Sequence, residues 1–232
     1  MIYLEEVHTD NQKQLVQFII EQYHSYVPSA VSVGRRIDWL IFDDSVVNQF
    51  NIPQPIGMVG IGSSVYPPPK DLLTRVGLSK DEYKDVFNEF ANNWRFCLKP
   101  NSVKNAGTKI LKQVRQQCKS AWYKRYGDDL KHLLTFVGGD NNGAVYKADN
   151  WEMIGETAGL PEHKSSSMKW HNKEELKELF VKPTGENKKL IFYKEWKPTQ
   201  KGISIMPNNA EEIINGIIKA MEVMGFTKEE KK

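Results

Sequence analysis

The sequence predicts a single mixed α/β domain, a central β-sheet flanked by helices. Three observations carry that expectation. The stretch from Trp94 to Ala158 reads strand, helix, strand, glycine-rich turn and second helix. Along the whole chain the periodic segments follow in the order helix, two strands, helix, then strands and helices in alternation. Finally, 40% hydrophobic and 26% charged residues over 232 positions supply enough apolar material for one good-sized core.

Each element has its own signal. DNQKQLVQFIIEQYH, residues 10–24, sets Leu15, Phe18 and Ile19 on one helical face, with Asp10 as N-cap. RIDWLIFDD reads as a strand, and after a loop PIGMVGIGSS reads as a second. Its three glycines imply a bulge or a neighbour in close approach. The PPP run at 67–69 stops regular structure. Ser79 caps a helix running to Asn93 that buries Tyr83, Val86, Phe87 and Phe90. Trp94–Leu98 is the next strand, and Asn105 opens a central helix with Ile110, Leu111, Val114 and Cys118 inward. Asp129–Val137 forms a strand parallel to Trp94–Leu98. Tyr146 then falls on a helix near the point where those two strands diverge, and a short strand, MIGE, follows it. LIFYKEW at 190–196 is a late strand, and an amphipathic helix runs from about Asn209 to Met224. Residues 1–197 are expected to form the catalytic domain and 198–232 a C-terminal extension, the piece suited to supporting a homodimer.

Composition excludes several classes. No apolar run approaches the roughly 18 residues that span a bilayer, and the acidic start MIYLEEVHTDNQKQ lacks the pattern of a secretory signal. Cys97 and Cys118 have no CxxC spacing and suit a reducing compartment as buried thiols. The histidines show no local metal-ligand spacing, so the metal content stays unknown. Net charge is only +3, but basic residues cluster: Arg35 with Arg36, and Lys104, Lys109, Lys112, Arg115 and Lys119 along the central helix.

Four segments have chemical potential. Asn105-Ala106-Gly107-Thr108 opens a helix with small residues, where backbone N–H groups and the helix dipole favour a phosphate; close helix packing explains Gly107 equally well. Tyr146 offers a neutral proton donor, or a core tyrosine bonded to a backbone partner. GIGSSVYPPPKD makes a stiff loop on which Tyr66 is placed to stack on a base, and His24 begins a polar loop that ends in the two arginines.

Together, YHSYVPSAVSVGRR, IGMVGIGSSVYPPPKD, NNWRFCL with KNAGTKIL, and LTFVGGDNNGAVYKADNWEMIGETAG resemble the phage DNA-modification family named for the Mom protein, over about residues 20–195. The resemblance implies a GNAT-like (acyl-CoA N-acyltransferase) fold, acetyl-CoA as cofactor and iron as a further one. It also implies transfer of a carbamoylmethyl group to adenine N6 in double-stranded DNA, shielding phage DNA from restriction in the host cytoplasm. Tyr146, Asp149, His24 and Tyr66 become the catalytic candidates. Asn105, Ala106, Gly107, Thr108, Phe96 and Leu98 become the cofactor-binding ones. Arg35, Arg36, Lys70, Lys147, Asn150 and Lys164 are set to contact DNA, with Trp151 a second stacking surface for a flipped base. The chain departs from the acetyltransferase pattern of Arg or Gln, two residues, then Gly-x-Gly or Gly-x-Ala. A weaker similarity, carried by RYG, TFV and YxAxNWxxxGETAG, links it to the DNA-associated subunit of the Druantia defence system. Two other readings stay open: a conventional N-acetyltransferase of a small amine or protein, and a non-catalytic DNA-binding defence module.

Overall fold

Ile2–Glu6 (β1), Arg36–Val47 (β2), Pro53–Ser63 (β3) and Phe90–Leu98 (β4), the first three with continuous buried runs, build an antiparallel half-sheet. Residues His132–Val137 (β5), Glu152–Glu156 (β6) and Leu190–Glu195 (β7) build the other half, giving among the described residues a seven-stranded sheet in the order β1-β2-β3-β4-β5-β7-β6. The computed structural model describes residues 1–24, 34–100, 103, 105–139, 141–159 and 188–196. The expected terminal helix, the boundary at 198 and Lys164 lie outside the described residues.

The two halves join through one short seam. β4 and β5 run parallel and pair only at Phe90–His132, Ala91–Leu133 and Asn92–Leu134. Beyond Asn92 the strands part, and β5 takes β7 as its partner over its whole length. This parting of two parallel strands, with a helix between them in sequence, is the acyl-CoA N-acyltransferase-like arrangement the sequence predicts.

Helices cover both faces. Asp10–Tyr23 (α1) lays Leu15, Val16, Ile19 and Ile20 on Leu40, Phe42 and Met58. Ala106–Tyr126 (α4) packs Ile110, Leu111, Val114, Cys118 and Trp122 on the opposite face, against Trp39, Ile41, Val59 and Leu133. Each fully buried aliphatic or aromatic side chain there stabilises by roughly 1.5–3 kcal/mol. Lys70–Val76 (α2) and Lys80–Asp85 (α3) sit over a third cluster of Tyr83, Phe90, Leu134, Ile191 and Tyr193. Ala144–Ala148 (α5) carries Tyr146.

Several expectations need correction. The first strand, β1, lies in what the sequence presents as a polar start, MIYLEEV; backbone pairing with β2 and a bond from Gln113 to the Ile2 carbonyl fix it. The N-cap of α1 is Thr9, not Asp10, in a capping box with Gln12. The helix capped by Ser79 ends at Asp85, a 3₁₀ turn follows, and β4 starts at Phe90. Pairing of Ala91 and Asn92 with Ser63 and Gly62 overrides the helical spacing there. α2 begins directly after the proline run. Both cysteines are buried free thiols, as expected.

The glycines of β3 mark close approach. A Cβ on Gly57 would lie 2.2 Å from the Cys97 carbonyl oxygen, and one on Gly60 would lie 2.2 Å from Trp94 Nε1. Opposite Gly60 the register slips, so that Gly60 pairs with Arg95 and Ile61 with Asn93, leaving Trp94 as the extra residue of a bulge.

Candidate active site at the parting of β4 and β5

Where β4 leaves β5, the next residue on each strand is polar and buried: Asn93 is 4% exposed and Thr135 2%. The left-handed Gly143 starts α5 directly against Phe192, with room for no side chain, since a Cβ would lie 2.3 Å from that ring. That contact seats Tyr146 over the seam. Its ring stacks on Phe192 at 5.7 Å and meets Trp151 edge-on at 5.2 Å. Its hydroxyl donates to Asn93 Oδ1 at 2.7 Å, and Thr135 Oγ1 lies 3.4 Å from it.

A cleft of about 290 Å³ opens from this point, lined by Asn93 to Leu98 of β4, Thr135 and Val137 of β5, the loop from Asn141 and α5. Tyr23 and His24 at the end of α1 close one side. Burial first, then the charges of Arg95 and Lys189, push the His24 imidazole down to about 4, so it is neutral near pH 7. Desolvation also lowers the ammonium groups of Lys99 and Lys189. Trp94 on the rim lies between two guanidinium contacts, Arg36 at 4.8 Å and Arg95 at 4.9 Å, and donates to Asp38 at 3.0 Å.

A second cavity of about 480 Å³ lies at the N-terminus of α4, lined by Val103, Asn105, Ala106, Gly107 and Thr108. It shares Phe96, Leu98, Ala144 and Val145 with the cleft as a common wall. All six cofactor candidates therefore surround one space. Gly107 has a packing reason of its own: a Cβ there would lie 2.3 Å from Val145 Cγ2, so the glycine lets α5 dock on α4. Asn105 takes a left-handed φ of 60° and makes no side-chain cap.

The other candidates are placed differently. Asp149 is 5% exposed and pairs with Arg115 of α4, accepts from Trp151 Nε1 at 2.9 Å and faces Lys194 of β7 at 3.9 Å. It braces the end of α5 and lines neither cavity. Desolvation, with the charge of Arg115, lowers the Lys194 ammonium to about 8. Tyr66 is 55% exposed, lies edge-on to Phe87 beside α3, and also lines neither cavity. Arg35 pairs with Asp128 and sits over Tyr126, while Arg36 pairs with Asp38 at 2.8 Å. Lys70 opens α2; Lys147 is exposed on α5; Asn150 holds a left-handed turn at φ 57°. Trp151 is buried beneath Tyr146, closed to base stacking. Sequence reasoning missed Asn93, Thr135 and Arg95. Asn92-Asn93 reads as a helix end, and only the β4–β5 parting gives Asn93 and Thr135 meaning.

Among the described residues no group of three or more His, Cys, Asp or Glu is placed to hold a metal ion, so the implied iron finds no such group there. No described helix is long and apolar enough to cross a membrane.

The family model for Druantia protein DruA matches residues 2–162, from β1 through β6 and the GETAG run. The chain belongs to the DruA family. The weaker of the two sequence resemblances is thus the one that defines its family, and the parting of β4 and β5, both cavities and Tyr146 all fall within the matched residues. A search of curated proteins finds no match to the sequence. Among solved structures, the chain is similar to an IAA acetyltransferase from Bacillus cereus, with a TM-score of 0.48 and 11% identity over 84% of this chain and 99% of that one. It is similar to the ribosomal-protein-S18-alanine N-acetyltransferase from Escherichia coli, with a TM-score of 0.45 and 10% identity over 88% of this chain and 100% of that one.

Proposed function

We propose that this DruA-family chain is a group-transfer enzyme acting on an amine, with the exocyclic N6 of adenine in DNA as acceptor and a coenzyme A thioester as donor. One observation carries the reading: a buried tyrosine, its hydroxyl bonded at the parting of two parallel strands, lines a cleft that shares a wall with a cavity at a helix N-terminus.

The chain's residues fit such a donor. Gly107 and Thr108 in the first turn of α4 line the larger cavity; that turn has no side-chain cap, and although its Ala106 N–H is taken by the Val103 carbonyl, the next N–H groups suit a pyrophosphate. Phe96, Leu98, Val103 and Val145 give apolar walls for a thin acyl arm. Beyond Asn92, β4 has no ladder partner on its β5 side among the described strands, leaving an edge that an amide-bearing arm can join. When bound, the thioester would supply the two-carbon unit and a thiolate leaving group; the protein holds Tyr146 where a proton must move and walls off water with Phe96 and Val137.

Adenine as acceptor rests on the resemblance to the Mom family and on the basic rim of Arg36, Arg95 and Lys99. N6 is a weak nucleophile, so alignment in a narrow cleft is the main device available, and the base must leave the stack to reach it. The product would be N6-carbamoylmethyladenine, a mark that denies restriction enzymes their unmodified adenine. From an acetyl thioester it requires ammonia as a second substrate, which forms the amide as coenzyme A leaves as thiol, and a two-electron oxidant that takes up the two hydrogens lost when the acetyl methyl carbon bonds to N6. Nucleoside mass spectrometry of DNA from cells expressing the chain, against empty vector, tests this. A new adenosine species heavier by a carbamoylmethyl substituent is the expected result. An acetyl increment would move the chemistry to simple acylation, and an unchanged profile with good expression would sink transfer to DNA.

A second reading, DNA binding without transfer, is favoured by one feature: the Tyr146 proton is already held by Asn93. On that reading Tyr146→Phe leaves the biological effect of the chain intact.

A further inference from the structure

Asn93 sits where four pieces of the fold meet. Its Nδ2 donates to the Gly60 carbonyl of β3 at 2.8 Å and to the Arg95 carbonyl across the bulge at 2.8 Å. Its own carbonyl accepts from Thr135 of β5 at 3.1 Å, and its Oδ1 lies 2.7 Å from Tyr146 Oη of α5. A side-chain amide has two N–H hydrogens, and both are committed to carbonyl oxygens. Turning the amide over would set its oxygen against those two oxygens at the same 2.8 Å, which is repulsive. The network therefore decides the orientation of the amide. Oδ1 can only accept, so the Tyr146 hydroxyl must donate to it, and its proton points into the sheet.

We infer that Asn93 is a positioning residue that fixes the direction of the Tyr146 hydroxyl proton, so that Tyr146 meets the occupant of the cleft as a hydrogen-bond acceptor and selects a group bringing an N–H. The identity of that occupant rests on the transfer reading above; the direction of the proton rests on the hydrogen bonds alone. An exocyclic amine satisfies the condition. A carbonyl at the same ring position, as in hypoxanthine, brings lone pairs against the lone pair of Tyr146. Giving the phenol proton to any group in the cleft first requires the hydroxyl to rotate off Asn93, so the same residue governs how readily Tyr146 serves as an acid.

Two measurements test this. In ¹⁵N-asparagine-labelled protein, Tyr146→Phe removes a partner of Oδ1 only. Both Nδ2 protons of Asn93 are then expected to stay in slow exchange, whereas rapid exchange of one of them would show the amide donating to Tyr146 and overturn the inference. The second compares binding, by fluorescence anisotropy, of a single-stranded oligonucleotide containing one adenine with the same strand carrying hypoxanthine there. The wild-type chain should prefer adenine by about fivefold, the effect of one hydrogen bond. In Asn93→Ala the released hydroxyl can turn outward, and the preference is expected to invert. General damage would weaken both strands alike, so equal affinities in wild type, or an uninverted preference in a folded Asn93→Ala, would overturn the selectivity. If wild type binds neither strand, the DNA-transfer reading fails, while the exchange measurement still decides the direction of the proton.

Discussion

A single hydroxyl group separates chemistry from architecture in this protein. Tyr146→Phe keeps the ring between Phe192, Trp151 and Phe96 and removes the hydroxyl with its bond to Asn93 and its weaker contact with Thr135. Leaving Asn93 Oδ1 buried without that donor costs about 1–3 kcal/mol, while loss of a positioned acid–base group lowers transfer by roughly 10²–10⁴-fold. Parallel thermal unfolding and nucleoside yields check this, and a normal yield with a large loss of stability would contradict it. Gly107 makes the opposite case. An alanine there would press on Val145 Cγ2 from 2.3 Å, and overpacking of this kind costs about 1–3 kcal/mol. If docking of α5 on α4 is the reason for the glycine, adding Val145→Ala should recover most of the loss in urea unfolding. No recovery would return Gly107 to the cavity.

At the scale of elements, the question is what holds α5 over the seam. Five helical residues do not hold themselves. Asp149 ties their end to α4 through Arg115 and to β7 through Lys194, with Trp151 between. Arg115 is only 14% exposed, so Asp149→Asn would strand a buried guanidinium at a cost of about 3–5 kcal/mol. The more exposed pair that Lys119 of the same helix makes with Asp129, beyond the helix end, is worth about 1 kcal/mol or less. A urea midpoint that moves no further for Asp149→Asn than for Asp129→Asn would remove the bracing role. The sequence showed Asp149 beside Asn150-Trp151 in a suggestive run, and nothing in that run told that its carboxylate turns inward to Arg115.

For the molecule as a whole, the cleft sets a pH dependence. The His24 imidazole is depressed from 6.5 to about 4 in the folded protein, first by burial and then by Arg95 and Lys189. Between those values the unfolded chain binds the extra proton, so stability is full above pH 6.5 and declines as the pH falls toward 4. His24→Gln is expected to flatten that part of the profile; melting temperatures at several pH values, wild type minus variant, give the test. A difference independent of pH would mean that His24 is not the group responsible.

Local signals determined a good deal. The strand–helix–strand run, the Ser79 cap, the glycine-punctuated β3 and the helical setting of Tyr146 are legible in the chain because periodicity and capping act within a few residues. Only the tertiary structure decided that β4 and β5 pair for three residues and then part, that Ala91-Asn92 join the sheet, and that Tyr66 and Asp149 lie off the cavities while Asn93 lies in one. The reason is range. A residue's spacing tells which face it takes on its own element, but a site assembled from β4, β5 and α5 depends on hydrogen bonds between segments some 40 residues apart, as from the Thr135 side chain to the Asn93 carbonyl, which no local pattern encodes.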